Sequence, residues 1–122
     1  MSGESSYDLG LWGEAQVALY LQDRGHQIVD RRWRCRFGEL DLVTEDGNYL
    51  CFVEVKLRKN KEQVPAHAFV TPSKQRKLRL TAELYLSQYP TNLQPRLDIA
   101  EVYAPKGRKT QTPTIIYWEN AF

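Results

Sequence analysis

No stretch of this chain stays apolar for the roughly 18 residues that a membrane-crossing helix needs. Among its 122 residues are only two cysteines, two histidines and one methionine. Cys35 and Cys51 show no zinc-ligand spacing with His26 or His67, so they read as reduced, structural residues rather than metal ligands or a disulfide. The opening residues, with Glu4 and Asp8 and no apolar run, do not read as a signal peptide, and the expectation is a cytoplasmic protein with no membrane partner. An excess of one charge is lacking too, since the formal net charge is +2. One domain is expected at this length, large enough to bury about two thirds of its unfolded surface.

What is present is unevenly placed. Fifteen of the seventeen basic residues fall in four clusters: Arg31, Arg32, Arg34 and Arg36; Lys56, Arg58, Lys59 and Lys61; Lys74, Arg76, Lys77 and Arg79; Lys106, Arg108 and Lys109. Clustering of this kind can make a phosphate-binding face on a nearly neutral molecule, and the alternative for each cluster alone is a solubilising surface. Arg32, Arg34, Arg36, Arg58, Lys59, Lys74 and Arg76 are the candidates for contacting nucleic acid.

The centre of the chain, Gly38 to Lys56, is two β-rich runs around an Asp46-Gly47 turn signal, which predicts a hairpin. A two-residue Asp46-Gly47 loop places Asp41 opposite Phe52, with Glu54 one diagonal step away and Lys56 two residues further on the same face. The other parity carries Leu40, Leu42, Cys51, Val53 and Val55, a set suited to packing under a helix. Charge inside so apolar a strand is costly unless a partner or an ion compensates it. Two carboxylates and a lysine on neighbouring strands can hold a divalent metal against a phosphodiester. Set against this is an ordinary solvated strand face, whose ion pairs are nearly neutral in energy.

Around the hairpin, an amphipathic helix is predicted from Tyr7 to Arg24, closed by Gly25, with Glu14 at the edge of its buried stripe. A first strand follows from His26 to Arg34. The polar stretch from Lys59 to Phe69 reads as a loop beside the site. Thr71 and Pro72 start a second helix that Pro90 stops, with Gln75 on its buried side and Lys74 in its first turn, where a bound anion would offset an unfavourable charge. Arg96 to Tyr103 reads as a fourth strand and Thr114 to Trp118 as a fifth, edge strand. Helix, three-stranded antiparallel meander, helix and strand give an α/β domain with a mixed sheet flanked by helices.

The run Gly38, Glu39, Leu40, Asp41, Leu42, Val43, then Phe52, Val53, Glu54, Val55, Lys56, with Gly13 and Glu14 upstream and Thr71, Lys74 and Gln75 downstream, resembles the YraN-like family of small bacterial proteins. The resemblance runs from about Leu9 to Val102. It implies a restriction-endonuclease-like core related to archaeal Holliday-junction resolvases, and a metal-dependent endonuclease acting on DNA, branched DNA included. In the nucleases it resembles, an aspartate precedes a strand carrying Glu, one spacer and Lys, and Asp41, Glu54 and Lys56 match residue by residue. Glu14 matches the first-helix glutamate of the resolvases. On this reading Asp41, Glu54 and the carbonyl of Val55 hold Mg²⁺ or Mn²⁺, Lys56 orients or deprotonates the attacking water, and Glu14 and Gln75 are accessory, with Glu39 behind them. The resolvase resemblance implies a homodimer, because two strands need two sites. A non-catalytic nucleic-acid-binding module of the same fold is the alternative.

Overall fold

The computed structural model describes residues 5–59 and 71–121. The loop expected from Lys59 to Phe69, with His67, lies outside these residues apart from Lys59 itself. Helix α1 runs Ser6–Asp23, followed by strands β1 Gln27–Cys35, β2 Gly38–Asp46 and β3 Tyr49–Arg58, helix α2 Pro72–Gln88, and strands β4 Gln94–Tyr103 and β5 Thr114–Trp118. Each helix starts as its sequence dictates. The Ser5 hydroxyl accepts the Asp8 amide N–H in α1, and Thr71 accepts that of Lys74 in α2, where Pro72 opens the first turn. Gly25, at φ +90°, turns the chain out of α1 towards β1.

The five strands lie in the order β1-β2-β3-β4-β5. β1, β2 and β3 form an antiparallel meander, β4 joins β3 in parallel after the crossover through α2, and β5 returns antiparallel as the edge. This is a mixed sheet with a helix on each face, a restriction-endonuclease-like core.

The hairpin register differs from expectation by two residues. Asp46 pairs with Tyr49 and Leu42 with Val53, so the loop is Gly47-Asn48, with Gly47 at φ +58°. Asp46 stays in the strand because Arg96 and His26 hold its carboxylate, at 3.2 and 3.4 Å. A shift of two preserves parity, so the register change itself turns no side chain to the other face, and Asp41 moves from opposite Phe52 to the level of Glu54.

The two faces are not divided into charged and apolar as the pattern suggests. Val17, Ala18 and Leu21 of α1 pack on Leu42, Cys51, Val53, Ala100 and Val102. The other face has its own core, in which Ala82 and Tyr85 of α2 cover Leu40, Val43, Leu50 and Phe52. Leu40 therefore joins the α2 side and Leu42 the α1 side, a break in alternation that falls where the β2–β3 ladder ends. Near that break α1 approaches closely: a Cβ on Gly13 would sit 3.1 Å from the Leu57 side chain. Glycine here lets the next residue, Glu14, reach over the sheet.

Candidate metal and nucleic-acid site

The paired ladder of β2 and β3 stops at Leu42 and Val53, although β2 continues beside β1 to Gly38 and β3 beside β4 to Arg58. The strands splay, and a backbone donor that would have met β2 needs another acceptor. Asp41 supplies it: the Val55 amide N–H donates to Asp41 Oδ2 at 2.8 Å. The N–H and C=O of one strand residue point to the same edge, so the Val55 carbonyl opens into the same gap.

Four carboxylates meet at this gap. Carboxylate oxygens of Glu14, Glu39 and Asp41 lie within 4.8 Å of one another, so Glu14 from α1 does reach the hairpin. On the other side the carboxyl group of Asp41 lies within hydrogen-bonding reach of that of Glu54. Burial first, then hydrogen bonding to Glu54 and the charge of Glu54, push the Asp41 pKa up to about 8. Burial also raises Glu14, against the opposing effect of its bond to Arg32, and Asp41 raises it further. A cluster of hard oxygen donors that must take up a proton to relieve its own repulsion fits a divalent cation, which would discharge the same conflict.

Glu54 and Lys56 also line a cleft of about 360 Å³ with Phe37, Gly38, Glu39 and Arg58, facing Lys74, Lys77, Leu78 and Thr81 of α2. Asp41, Glu54 and Lys56 are thus brought to one place, and Arg58 and Lys74 join them. Gln75 is half-buried in the first turn of α2 and does not line this cleft. Arg76, Arg36 and Lys59 are exposed and lie outside it, with Arg36 stacked over Phe37 at 4.9 Å.

Two expected phosphate contacts turn out to be engaged within the protein. Arg32 bonds both Glu14 oxygens at 3.0 Å and stands 4.0 Å from Glu39, and Arg34 pairs with Glu39. Arg32 achieves this from a left-handed backbone, φ +52°, a conformation that costs free energy outside glycine. The arginine run therefore serves partly as counter-charge to the carboxylates. Glu39 takes a more central place than its behind-the-scenes role in the sequence reading, and the i, i+2 spacing to Asp41 was the signal for it. Lys77 had no such signal, because it is one of four basic residues on a helix. Glu101, fully buried, is level with Lys56 across the parallel ladder and accepts from Tyr103 and Trp118, a neighbour no local pattern reveals.

A second group of ligand-type side chains, His26, Asp46 and Cys51, also converges within 4.8 Å despite its unpromising spacing. Arg96 already lies against Asp46, the His26 ring bonds Thr44 at 2.9 Å, and burial pushes the Cys51 thiol up to about 12. A cation there would face a guanidinium and a thiol that keeps its proton, so this group is a buried hydrogen-bond network.

No helix among the described residues is long and apolar enough to cross a membrane. A family model described as uncharacterised protein family UPF0102 matches residues 13–102. Similar chains are named UPF0102 proteins. One from Chlorobium chlorochromatii is 40% identical over 121 residues, 97% of this chain and 93% of the relative. One from Herminiimonas arsenicoxydans is 40% identical over 96 residues, 79% and 77% of the two chains. One from Lachnoclostridium phytofermentans is 41% identical over 92 residues, 74% and 78%.

Proposed function

The chain belongs to the uncharacterised protein family UPF0102, and we propose from its site that it is a metal-dependent endonuclease that hydrolyses phosphodiester bonds of DNA, selecting by structure rather than by sequence. The observation that carries this reading is the Asp41–Glu54 carboxyl pair at the splayed end of β2 and β3, with Lys56 beside it in a basic cleft.

Asp41 and Glu54, with the Val55 carbonyl, are the groups that would hold Mg²⁺ or Mn²⁺, and such a cation supplies charge neutralisation at the phosphoryl group and an acidified water. The chain's own residues do the rest. Lys74, Lys77 and Arg58 attract and orient the backbone, and the N-terminus of α2 adds its positive dipole end from the same side. Lys56 is placed to orient the attacking water or stabilise developing charge. Glu14 and Glu39 would hold the metal or its water, with Arg32 fixing Glu14 in place. Among the described residues no base-reading element lines the cleft, so backbone geometry is the natural basis of selection, and branched DNA cut by a symmetric pair of chains fits that basis.

One observation favours a second reading. Arg32 already neutralises Glu14 and approaches Glu39, which suits a nucleic-acid-binding module that performs no chemistry alone. Labelled single-stranded, duplex, flap, splayed and four-way-junction DNA, incubated with Mg²⁺, Mn²⁺ or EDTA, decides between them. Cleavage that requires metal and is lost in Glu54→Gln is the expected result. Binding without cutting under every condition establishes the second reading instead.

A further inference from the structure

The fourth basic cluster, Lys106 to Lys109, is remote from the catalytic hairpin in sequence, but the fold returns it to the same edge of the sheet. β3 and β4 run parallel and end together, with Arg58 level with Tyr103. The Ala104 amide N–H then donates to the Arg58 carbonyl at 2.8 Å, tying the chain after β4 to the last residue of β3. From there Gly107–Lys109 makes a single 3-10 turn, Gly107 taking φ +59°, and the Lys106 amide N–H donates to Thr110 Oγ1 at 3.0 Å. The lysines of this loop are presented by a folded turn.

Between that turn and the end of β3 lies a groove of about 690 Å³, lined by Lys59, Lys106 and Lys109 with Tyr103, Pro105, Thr110, Gln111, Thr112 and Thr114. Among the described residues its lining holds three ammonium groups, three hydroxyls that can donate and no carboxylate. In a chain with fifteen acidic residues and a net charge of +2, the described lining is a localised positive field with no carboxylate within it. The cleft differs, for there Glu39 and Glu54 offset the lysines.

We propose that this groove is a second nucleic-acid contact, holding the phosphate backbone of one strand away from the point of cleavage. The inference rests on the nuclease-like reading of the cleft only for the strand's direction of travel. Residues 54 to 59 lead from one site to the other along β3. At ~3.3 Å per residue Lys59 lies about 16 Å from Glu54, a distance of about five nucleotide steps at ~3.4 Å each. Ammonium and hydroxyl donors suit phosphate oxygens, and the one aromatic side chain in the lining, Tyr103, is buried and bonded to Glu101, so the groove contacts backbone without stacking bases. The substrate it implies carries a strand that continues at least about five nucleotides past the cleft.

The test uses metal-free Glu54→Gln protein, so that binding is read without cleavage. Forked DNA with one arm of about three or about ten nucleotides is titrated by fluorescence anisotropy across a salt series. The longer arm is expected to bind more tightly. Lys106→Gln with Lys109→Gln should remove that advantage, lowering the long-arm salt slope by about 1.4 and long-arm affinity about tenfold, while leaving the short arm unchanged. Both lysines are exposed, and the folding transition should not move. Equal affinity for both arms in the parent protein overturns the proposal. So does an unaltered long-arm slope, and so does the same loss produced by Arg24→Gln with Arg79→Gln, a charge change of equal size elsewhere. If wild type cuts no substrate yet the arm dependence follows the two lysines, the groove stands and the nuclease reading falls.

Discussion

Replacing Asp41 with asparagine is expected to abolish metal-dependent cleavage, by about a hundredfold or more, and to make the metal-free protein more stable at pH 8. The two effects have opposite signs for one reason. Asp41 is half-buried against Glu54 and Glu39, with Glu14 packed from α1, and its pKa is pushed up to about 8. A carboxylic acid whose pKa rises on folding gives stability that is fully present below its unfolded value, near 4, and lost as pH climbs through its folded value. Between those limits the metal-free protein should lose stability with rising pH, at no more than about 1.4 kcal/mol per unit. Asparagine mimics the protonated acid, so the variant should show a flatter profile and a gain of about 1–3 kcal/mol at pH 8. Urea denaturation at pH 5 and pH 8, with and without Mn²⁺, measures this. In wild type Mn²⁺ should restore most of what is lost at pH 8, and in the variant it should do little. A variant less stable than wild type at pH 8 would show that the carboxyl is structural and its repulsion unimportant.

Replacing Arg96 with methionine is expected to cost about 3–5 kcal/mol, the largest loss of stability from any single side chain at this end of the sheet. Arg96 Nε bonds both oxygens of Asp98, at 3.0 and 3.1 Å, its terminal nitrogen reaches Asp46, and its guanidinium lies 4.8 Å from the centre of the Tyr49 ring. Asp98 has no exposed surface and also accepts from Tyr117 and from the Asn120 amide. Without Arg96 that carboxylate would be buried with neutral donors alone. The double variant Arg96→Met with Asp98→Asn should recover part of the loss, so the cycle of single and double variants isolates the pair. Additive losses would mean that the two residues contribute separately. Cleavage by Arg96→Met should survive wherever the variant is folded, because this network lies at the opposite end of β3 from Lys56.

The comparison of these two regions explains what sequence reading reached. Asp41, Glu54 and Lys56 are close in sequence, and strand parity carries them to one place even when the turn is assigned one residue early and the register is off by two. The turn was misplaced because Asp46-Gly47 is a good local turn pair, whereas Asp46 is retained in β2 by Arg96, a partner fifty positions on in the chain. No local rule contains that interaction. The same limit hid the ion pairing of Arg32 and Arg34, since a run of arginines looks like a phosphate surface until the helix bearing Glu14 is laid across it. Leu40 was assigned to the wrong face because alternation assumes a continuous ladder, and here the ladder ends at Leu42. The start of α2 was read correctly because Thr71 and Pro72 act on atoms within one turn of themselves. The basic loop after β4 had no visible role because only the parallel pairing of β3 with β4 makes it a neighbour of Lys59.

The bond between the Val55 amide and Asp41 gives the molecule an intrinsic spectroscopic reporter. Neighbouring residues of β3 are tied into backbone ladders, which are indifferent to titration, but this amide proton is held by a side chain that changes charge. In a ¹H–¹⁵N spectrum the Val55 cross-peak should therefore move with pH and with added Mg²⁺, while the cross-peaks of Cys51 and Val53 stay nearly fixed. One resonance would then follow the occupancy of the carboxylate pair in solution, with neither a substrate nor an attached label.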